Sequence, residues 1–289
     1  MNAILVPTDF SKHAAYAAEV AAQIAKRTGA EVVLLHVINL PNYEENAFSN
    51  YEEEGTHESM MIMQLVKQKF KNLRTLKFWE GVKVHEVVKF GSVHKAVVAE
   101  NRERNVSLVV AGAHGMSGSS TEFAGSTIEK LVRVCIVPVL TIKRRFENFE
   151  LNNIVFSSTF FGENHKPLQA VKEIAERNES NLHLLKVITP DNFEPTSLSR
   201  KLIYDMAEKN EIKNFTGYII NDYNIETGIY AYAKHINADL VCLATHGRTG
   251  WARLFGKSIA EEVSSHADIP ILSIRLTEAQ EKTGVIFPE

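Results

Sequence analysis

Two copies of one pattern follow each other in this chain, and the repeat constrains its fold more than any other feature. The run Ile4–Val6 aligns with Ile154–Phe156 at an offset of 150 residues. Val137–Leu140 aligns with Ile269–Leu272 at an offset of 132, so the first copy carries 18 additional residues. A chain of 289 residues is long enough for two cores of ordinary domain size. The repeat therefore predicts two domains of the same fold in tandem.

The additional residues fall between Asn39 and Phe90, and the acidic, aromatic stretch Pro41–Gly55 is the natural place for most of them. The two copies meet near Arg144–Leu151, a short polar bridge without proline or glycine. We therefore expect the two domains, residues 1–146 and 147–289, to pack together as a pseudo-dimer within one chain.

Short apolar runs alternate with segments of helical periodicity in each copy. Val32–Ile38 is a largely apolar run, as expected for a strand buried on both faces. Ser11–Arg27 has small and apolar residues at helical spacing with Gly29 just past its end, and a second helix is expected over Glu58–Phe78. Strand–helix alternation with right-handed crossovers gives a parallel, doubly wound sheet. The predicted fold class is α/β, with two tandem doubly wound domains that each hold a five-stranded parallel sheet flanked by helices.

Charge and cysteine content exclude several classes of partner. The net charge of −3 supplies no basic field that would hold a polyanion, so nucleic acid is not an expected partner. The two cysteines, Cys135 and Cys242, lie one in each copy, which implies no disulfide framework and favours a reducing compartment. No apolar run approaches the ~18 residues of a membrane span, and the first residues lack the pattern of a signal peptide. These features predict a cytoplasmic protein without a membrane partner.

The loops that follow the predicted strands hold the candidate site, because ligands of doubly wound sheets bind beyond the carboxyl ends of the strands. Asp9, Val37 and Gly112 all fall at such ends. Gly112 and Gly115 can adopt positive φ and let an anion approach the backbone without a Cβ in the way. The pattern indicates an anion site, with phosphate as the expected anion. Asp9 could instead cap the first helix, a role for which Ser11 competes.

A second glycine turn follows the first pair after nine residues. It consists of Gly125, Ser126 and Thr127 at the start of the next predicted helix, Thr121–Val134. The N-terminus of a helix offers unpaired N–H groups and the positive end of the helix dipole, both of which favour phosphate. The turn therefore extends the predicted anion site.

Taken together, these motifs resemble the universal stress protein family of the UspA type, in its tandem form with two domains per chain. The resemblance rests on Pro7-Thr8-Asp9 after the first strand, on the spacing G-x-x-G, nine residues, G-Ser, and on Pro138 before the fifth strand. It covers nearly the whole chain. It implies a Rossmann-like, adenine nucleotide α-hydrolase-like fold and ATP as ligand, with any Mg²⁺ held by the phosphates.

The resemblance also implies a role for each site residue. Asp9 would contact the ribose, Pro7 and the Val37 backbone would lie beside the adenine, and the glycine turns would surround the phosphates. The aromatic stretch Pro41–Gly55 is either a solvated loop or a lid over the adenine. Many ATP-binding members have a hydroxyl residue at the position of Ile128, so this chain lacks that phosphate contact. The implied nucleotide-binding residues are Pro7, Thr8, Asp9, Val37, Gly112, Gly115, Gly125, Ser126 and Thr127.

The second copy departs from the motif at several positions. Thr159 takes the place of Asp9, Ser157 that of Pro7, and Ala244 that of Gly112. Lys257 stands opposite Gly125, although Lys257 and Arg248 could attract a different anion. We therefore predict one nucleotide site, in the first copy, and a degenerate site in the second.

The predicted function is that of an ATP-binding universal stress protein acting as a stress-response or signalling module. No Walker lysine motif and no evident general base are present, so we assign no catalytic residue and expect at most a slow ATPase. No residue set is predicted to bind a metal. The alternatives are a nucleotide-independent interaction scaffold and a slow ATP hydrolase.

The apolar fifth strands, Val139–Ile142 and Ile271–Ile274, should not remain exposed as sheet edges. The dimeric members of the family imply that these strands pair within the chain. A further homodimer through other surfaces stays open.

Overall fold

The structure is a computed structural model, and it describes residues 1–38, 57–113, 124–161, 165–245 and 269–275. The chain divides into two compact units. The first consists of Met1–His114 and Ile142–Phe149, and the second of Gly115–Thr141 and Glu150–Glu289. Each unit is an α/β arrangement of strands that alternate with helices, as the repeat predicts.

A parallel sheet forms the centre of the first unit, in the order β3-β2-β1-β4. Strand β1 is parallel to both β2 and β4, and β2 is parallel to β3. The strands are β1 (Ala3–Pro7), β2 (Glu31–Ile38), β3 (Val84–Phe90) and β4 (Val106–Gly112). The helices are α1 (Lys12–Thr28), α2 (His57–Arg74) and α3 (Val93–Arg104), with a 3₁₀ turn at Lys77–Trp79.

Helix α1 begins and ends where its sequence dictates. Ser11 is the N-cap, and its Oγ accepts a bond from the Ala14 N–H at 3.2 Å. Gly29 follows the last turn in the left-handed conformation, with φ of 71°, and its N–H bonds the Ala25 carbonyl. The buried face consists largely of alanine, so the helix axis can lie close to β1 and β4. This close packing decides the geometry of the candidate site.

Helix α2 is shorter than the periodicity predicts, because it ends at Arg74 rather than Phe78. The chain then forms a 3₁₀ turn in which Trp79 is buried, and Trp79 Nε1 donates to the Leu73 carbonyl at 3.0 Å. The same carbonyl accepts the Leu76 N–H at 3.4 Å, so two bonds hold the chain at the end of the helix. Among the helices that the structure describes, none combines the length and the apolar character of a membrane span.

The second unit repeats the pattern, with strands in the order β5-β10-β9-β6-β7-β8. Its strands are β5 (Val139–Ile142), β6 (Asn153–Ser157), β7 (Asn181–Ile188), β8 (Thr216–Asn221), β9 (Leu240–Thr245) and β10 (Ile271–Arg275). Its helices are α4 (Ala124–Val134), α5 (His165–Asn178), α6 (Thr196–Lys209) and α7 (Ile225–His235), with a 3₁₀ turn at Pro190–Asn192.

The two fifth strands pair with each other. Strand β5 runs antiparallel to β10, with Leu140 opposite Leu272, whereas the pairs among β6, β7, β8, β9 and β10 are parallel. The expected pairing of the apolar fifth strands within the chain is confirmed. It covers two edges that would otherwise expose unpaired backbone groups.

Candidate functional site

The carboxyl ends of three parallel strands meet at one edge of the first unit. Strand β1 ends at Pro7, β2 at Ile38 and β4 at Gly112, and β1 lies between the other two. Sequence and structure therefore agree on the placement of Pro7, Thr8, Asp9, Val37 and Gly112 at this edge. Its position matches the place where doubly wound sheets bind ligands.

The loop from Thr8 to Ser11 is held by bonds within itself. The Phe10 N–H donates to Thr8 Oγ1 at 3.0 Å, and the Ser11 N–H donates to Asp9 Oδ1 at 2.9 Å. Ser11, not Asp9, caps α1. Asp9 is exposed at the edge, and the bond from Ser11 fixes the orientation of its carboxylate.

Phe10 adopts φ of 64°, which is unfavourable for an aromatic residue and needs support from its surroundings. Its ring packs against the His36 ring at 4.7 Å and edge-on against the Phe70 ring at 5.0 Å. His36 Nδ1 in turn lies 2.8 Å from the Thr8 carbonyl, which it bonds. These contacts pin the loop to β2 and to α2.

Gly112 does not use the positive φ that glycine permits, because it lies outside the left-handed region. A Cβ at this position would lie 2.3 Å from the His13 carbonyl oxygen and 2.7 Å from the Ala14 nitrogen. The space left by the missing side chain is therefore filled by the first turn of α1. Glycine is needed here for packing between helix and strand.

The second glycine turn lies in the first turn of α4, which belongs to the second unit. Gly125, Ser126 and Thr127 thus take helical positions, as predicted, and Thr127 is half-buried. Ile128 is buried and serves the core. Gly115, like the rest of the stretch 114–123, lies outside the described residues.

A cavity of about 440 Å³ opens beside Asp9, between the Thr8–Ser11 loop and α2. Its polar lining includes Asp9, Ser11, Lys69 and Asn72, and Leu73 lines its apolar side. Lys69 Nζ also lies 5.4 Å from the centre of the Phe10 ring. Lys69 and Asn72 were not predicted from the sequence. Both lie on the polar stripe of α2, and nothing in their spacing separates them from ordinary solvated residues.

The second unit repeats the backbone of this edge without its key side chains. The Ser158 N–H bonds the Leu185 carbonyl at 3.3 Å, as Thr8 bonds Leu35 at 2.8 Å in the first unit. Phe160 adopts φ of 59°, matching Phe10. At the position of Asp9 the second unit presents an exposed Thr159 hydroxyl, which carries no charge. Lys257 and Arg248 lie outside the described residues.

Neither cysteine belongs to the site. Cys135 and Cys242 are both buried. Burial raises the pKa of the Cys135 thiol to about 12 and raises that of Cys242 as well. Both thiols therefore stay protonated and unreactive at neutral pH.

Comparison with known proteins places the chain in a family. A model of the universal stress protein family matches residues 1–143 and 160–275. The chain is 27% identical to universal stress protein MJ0577 of Methanocaldococcus jannaschii over 153 residues, which make up 49% of this chain and 94% of the relative. It is 26% identical to universal stress protein YxiE of Bacillus subtilis over 153 residues, 49% of this chain and 99% of the relative. Each relative thus matches about half of the chain.

Solved structures show the same fold over nearly the full length. A universal stress protein from Archaeoglobus fulgidus has a TM-score of 0.65 at 20% identity and covers 95% of this chain and 98% of its own. A putative universal stress protein from Pseudomonas aeruginosa has a TM-score of 0.58 at 16% identity, with coverages of 98% and 96%. At these identities the likeness concerns the fold alone. Since the family model matches both copies, the chain belongs to the universal stress protein family, as a tandem member with two such domains.

Proposed function

We propose that the chain binds ATP through its first domain, residues 1–146, and acts as a stress-response or signalling module. The carrying observation is the exposed, oriented carboxylate of Asp9 at the edge where β1, β2 and β4 end, beside a cavity of about 440 Å³. A cavity of this size falls in the range of small-molecule sites.

The residues at this edge fit an adenine nucleotide. One Asp9 oxygen is held by the Ser11 N–H, so the carboxylate is preoriented to accept bonds from the two ribose hydroxyls. Pro7 and the Val37 backbone flank the same edge, and in this proposal they lie beside the adenine. Lys69, which lines the cavity, supplies positive charge for an anionic ligand. Any Mg²⁺ would be held by the phosphates.

Gly112 supports the site indirectly in this proposal. Because the first turn of α1 lies against Gly112, the helix N-terminus is held at the end of β4. That position directs the start of α1 toward the same edge as Asp9. The proposal also includes the phosphate contacts that the family resemblance implies, from Gly115, Gly125, Ser126 and Thr127.

Mass spectrometry of the full chain, purified without added nucleotide, followed by calorimetric titration with ATP, tests the proposal. We expect one ATP per chain and a loss of affinity of about tenfold to a hundredfold in Asp9→Ala, because the ribose loses hydrogen bonds to a charged acceptor. Thr159→Ala, the matched change in the second domain, should leave binding unchanged. The nucleotide-free stability of both variants is measured alongside, since Asp9 also accepts the bond from Ser11.

The alternatives give different results in the same experiment. If the purified protein carries no nucleotide and does not bind ATP in the titration, it is a nucleotide-independent scaffold. Two ATP molecules per chain, or equal losses in Asp9→Ala and Thr159→Ala, contradict a single site in the first domain. Phosphate release above background that Asp9→Ala abolishes indicates a slow hydrolase.

A further inference from the structure

A buried lysine lies on β7 of the second unit, near the edge where the parallel strands end. Lys186 on β7 stands at the position that His36 holds on β2, since β6 and β7 repeat the bond between Thr8 and Leu35. Lys186 is only 4% exposed. Burying an ammonium group costs free energy unless a counter-charge lies beside it. The groups around Lys186 therefore decide whether an external anion can bind at this edge.

The partner of Lys186 comes from the segment that leads into α6. Lys186 Nζ lies 2.6 Å from Glu194 Oε1, and the Glu194 side chain is 13% exposed. Ser199, fully buried in the first turn of α6, donates its hydroxyl to the same carboxylate. The Phe161 ring covers the ammonium group from the other side, with its centre 4.7 Å from Nζ.

The charge state of the Glu194 carboxyl agrees with this arrangement. Burial raises the pKa of the Glu194 carboxyl, but the ion pair with Lys186 and the hydrogen bond from Ser199 outweigh that effect, so the pKa lies below its ordinary value. The carboxylate is therefore ionised at neutral pH. It also lies just before the N-terminus of α6, where a negative charge is favoured.

The two units use the same strand position differently. In the first unit His36 bonds the Thr8 carbonyl, and the space between that loop and α2 is a cavity. In the second unit the lysine draws a carboxylate of the same chain into place and is covered by Phe161. Three segments are thereby tied together: the one after β6, the strand β7, and the start of α6.

We propose that Lys186, Ser199 and Phe161 form a carboxylate-binding pocket in the second unit, and that Glu194 is its built-in ligand. The second unit is thus closed at this edge by its own side chain, and an external anion can enter only if Glu194 leaves. The proposal does not depend on ATP binding in the first unit. It concerns residues that the family motif does not include.

Chemical rescue of the full chain tests the pocket. Glu194→Ala leaves the ammonium group buried without a partner, and we expect its Tm to fall by roughly 5 °C or more. Sodium formate should raise the Tm of this variant relative to sodium chloride at equal ionic strength. It should not do so for the wild type or for Lys186→Met/Glu194→Ala. Glu173→Ala, which removes a solvent-exposed partner of Arg177, is the matched control and should lose little and show no rescue.

If Glu194→Ala does not fold, Lys186→Met is compared with the double variant Lys186→Met/Glu194→Leu, neither of which buries an unpaired ammonium group. The double variant should have the higher Tm, because Lys186→Met leaves the Glu194 carboxylate without its counter-charge. A double variant no more stable than Lys186→Met would overturn the proposal. So would a formate effect that is equal in Glu194→Ala and in the variant that also lacks Lys186, since the added anion would then not bind the ammonium group.

Discussion

Replacing Gly112 with alanine tests the contact between β4 and α1. The new Cβ would lie 2.3 Å from the His13 oxygen, 2.4 Å from the His13 carbonyl carbon and 2.7 Å from the Ala14 nitrogen. All three atoms belong to the backbone, so no side chain can turn away to make room. Ordinary contacts of a Cβ begin near 3.4 Å, and the helix or the strand end must therefore move by roughly 1 Å.

The expected loss follows from two opposing contributions. Inserting a carbon into a packed contact costs about 1–3 kcal/mol, and the rigid backbone on the other side favours the upper part of that range. Alanine recovers up to about 1 kcal/mol, because it restricts the unfolded chain more than glycine does. The free energy of unfolding should thus fall by about 2 kcal/mol, equivalent to a Tm decrease of about 4–8 °C.

Urea unfolding of nucleotide-free protein measures this loss directly. Ala244→Gly, the reverse change at the matched position of the second unit, should cost less than about 1 kcal/mol, which is the ordinary penalty of glycine within a strand. If Gly112→Ala unfolds within about 0.5 kcal/mol of the wild type and only ATP affinity falls, the glycine serves the ligand and the packing argument is wrong.

Two further predictions concern the stability of the first unit. Gln23 on α1 donates to the Phe146 carbonyl at 2.8 Å and accepts from the Phe149 N–H at 2.7 Å. Gln23→Ala should therefore cost about 1–3 kcal/mol in urea unfolding, whereas an unchanged midpoint would show that these bonds add nothing net. The hydrogen bond from Lys83 lowers the pKa of Glu31 from its ordinary value of 4.5. A carboxyl group whose pKa is lower in the folded than in the unfolded state stabilises the fold at pH values above its unfolded-state pKa. This stabilisation is lost as the pH falls through the folded-state pKa. Glu31→Gln should flatten the decline of stability below about pH 5, and a pH profile parallel to that of the wild type would contradict this.

Local patterns predicted the elements well, because their causes are local. Ser11 and Gly29 cap α1 where the periodicity begins and ends, and β5 matches its predicted limits. Helix α2 is the informative exception. Apolar spacing continues past Arg74, but the helix ends there and the chain forms a 3₁₀ turn in which Trp79 is buried. This turn contacts α1, which is distant in the sequence.

The candidate site, too, could be predicted from local patterns only in part. The sequence was enough to place the Pro7-Thr8-Asp9 motif and Gly112 at the carboxyl edge of the sheet, since parallel strands end at the same edge. The reason why position 112 holds glycine could not be predicted, because it depends on the packing of α1 against β4. The two contacting segments are about a hundred residues apart in the chain. Lys69 and Asn72 were missed because only the packing of α2 brings them to the cavity.

From the sequence alone one can read the tandem repeat, the α/β alternation, the family and the loss of the Asp9 carboxylate from the second copy. These depend on residue identity and on spacings of a few residues, which an offset alignment preserves. The packed structure was needed to show that the Gly112 backbone lies against His13, and that Lys186 is neutralised by Glu194 and covered by Phe161. Close approach and counter-charge are properties of atoms brought together by packing, and no local pattern along the chain records them.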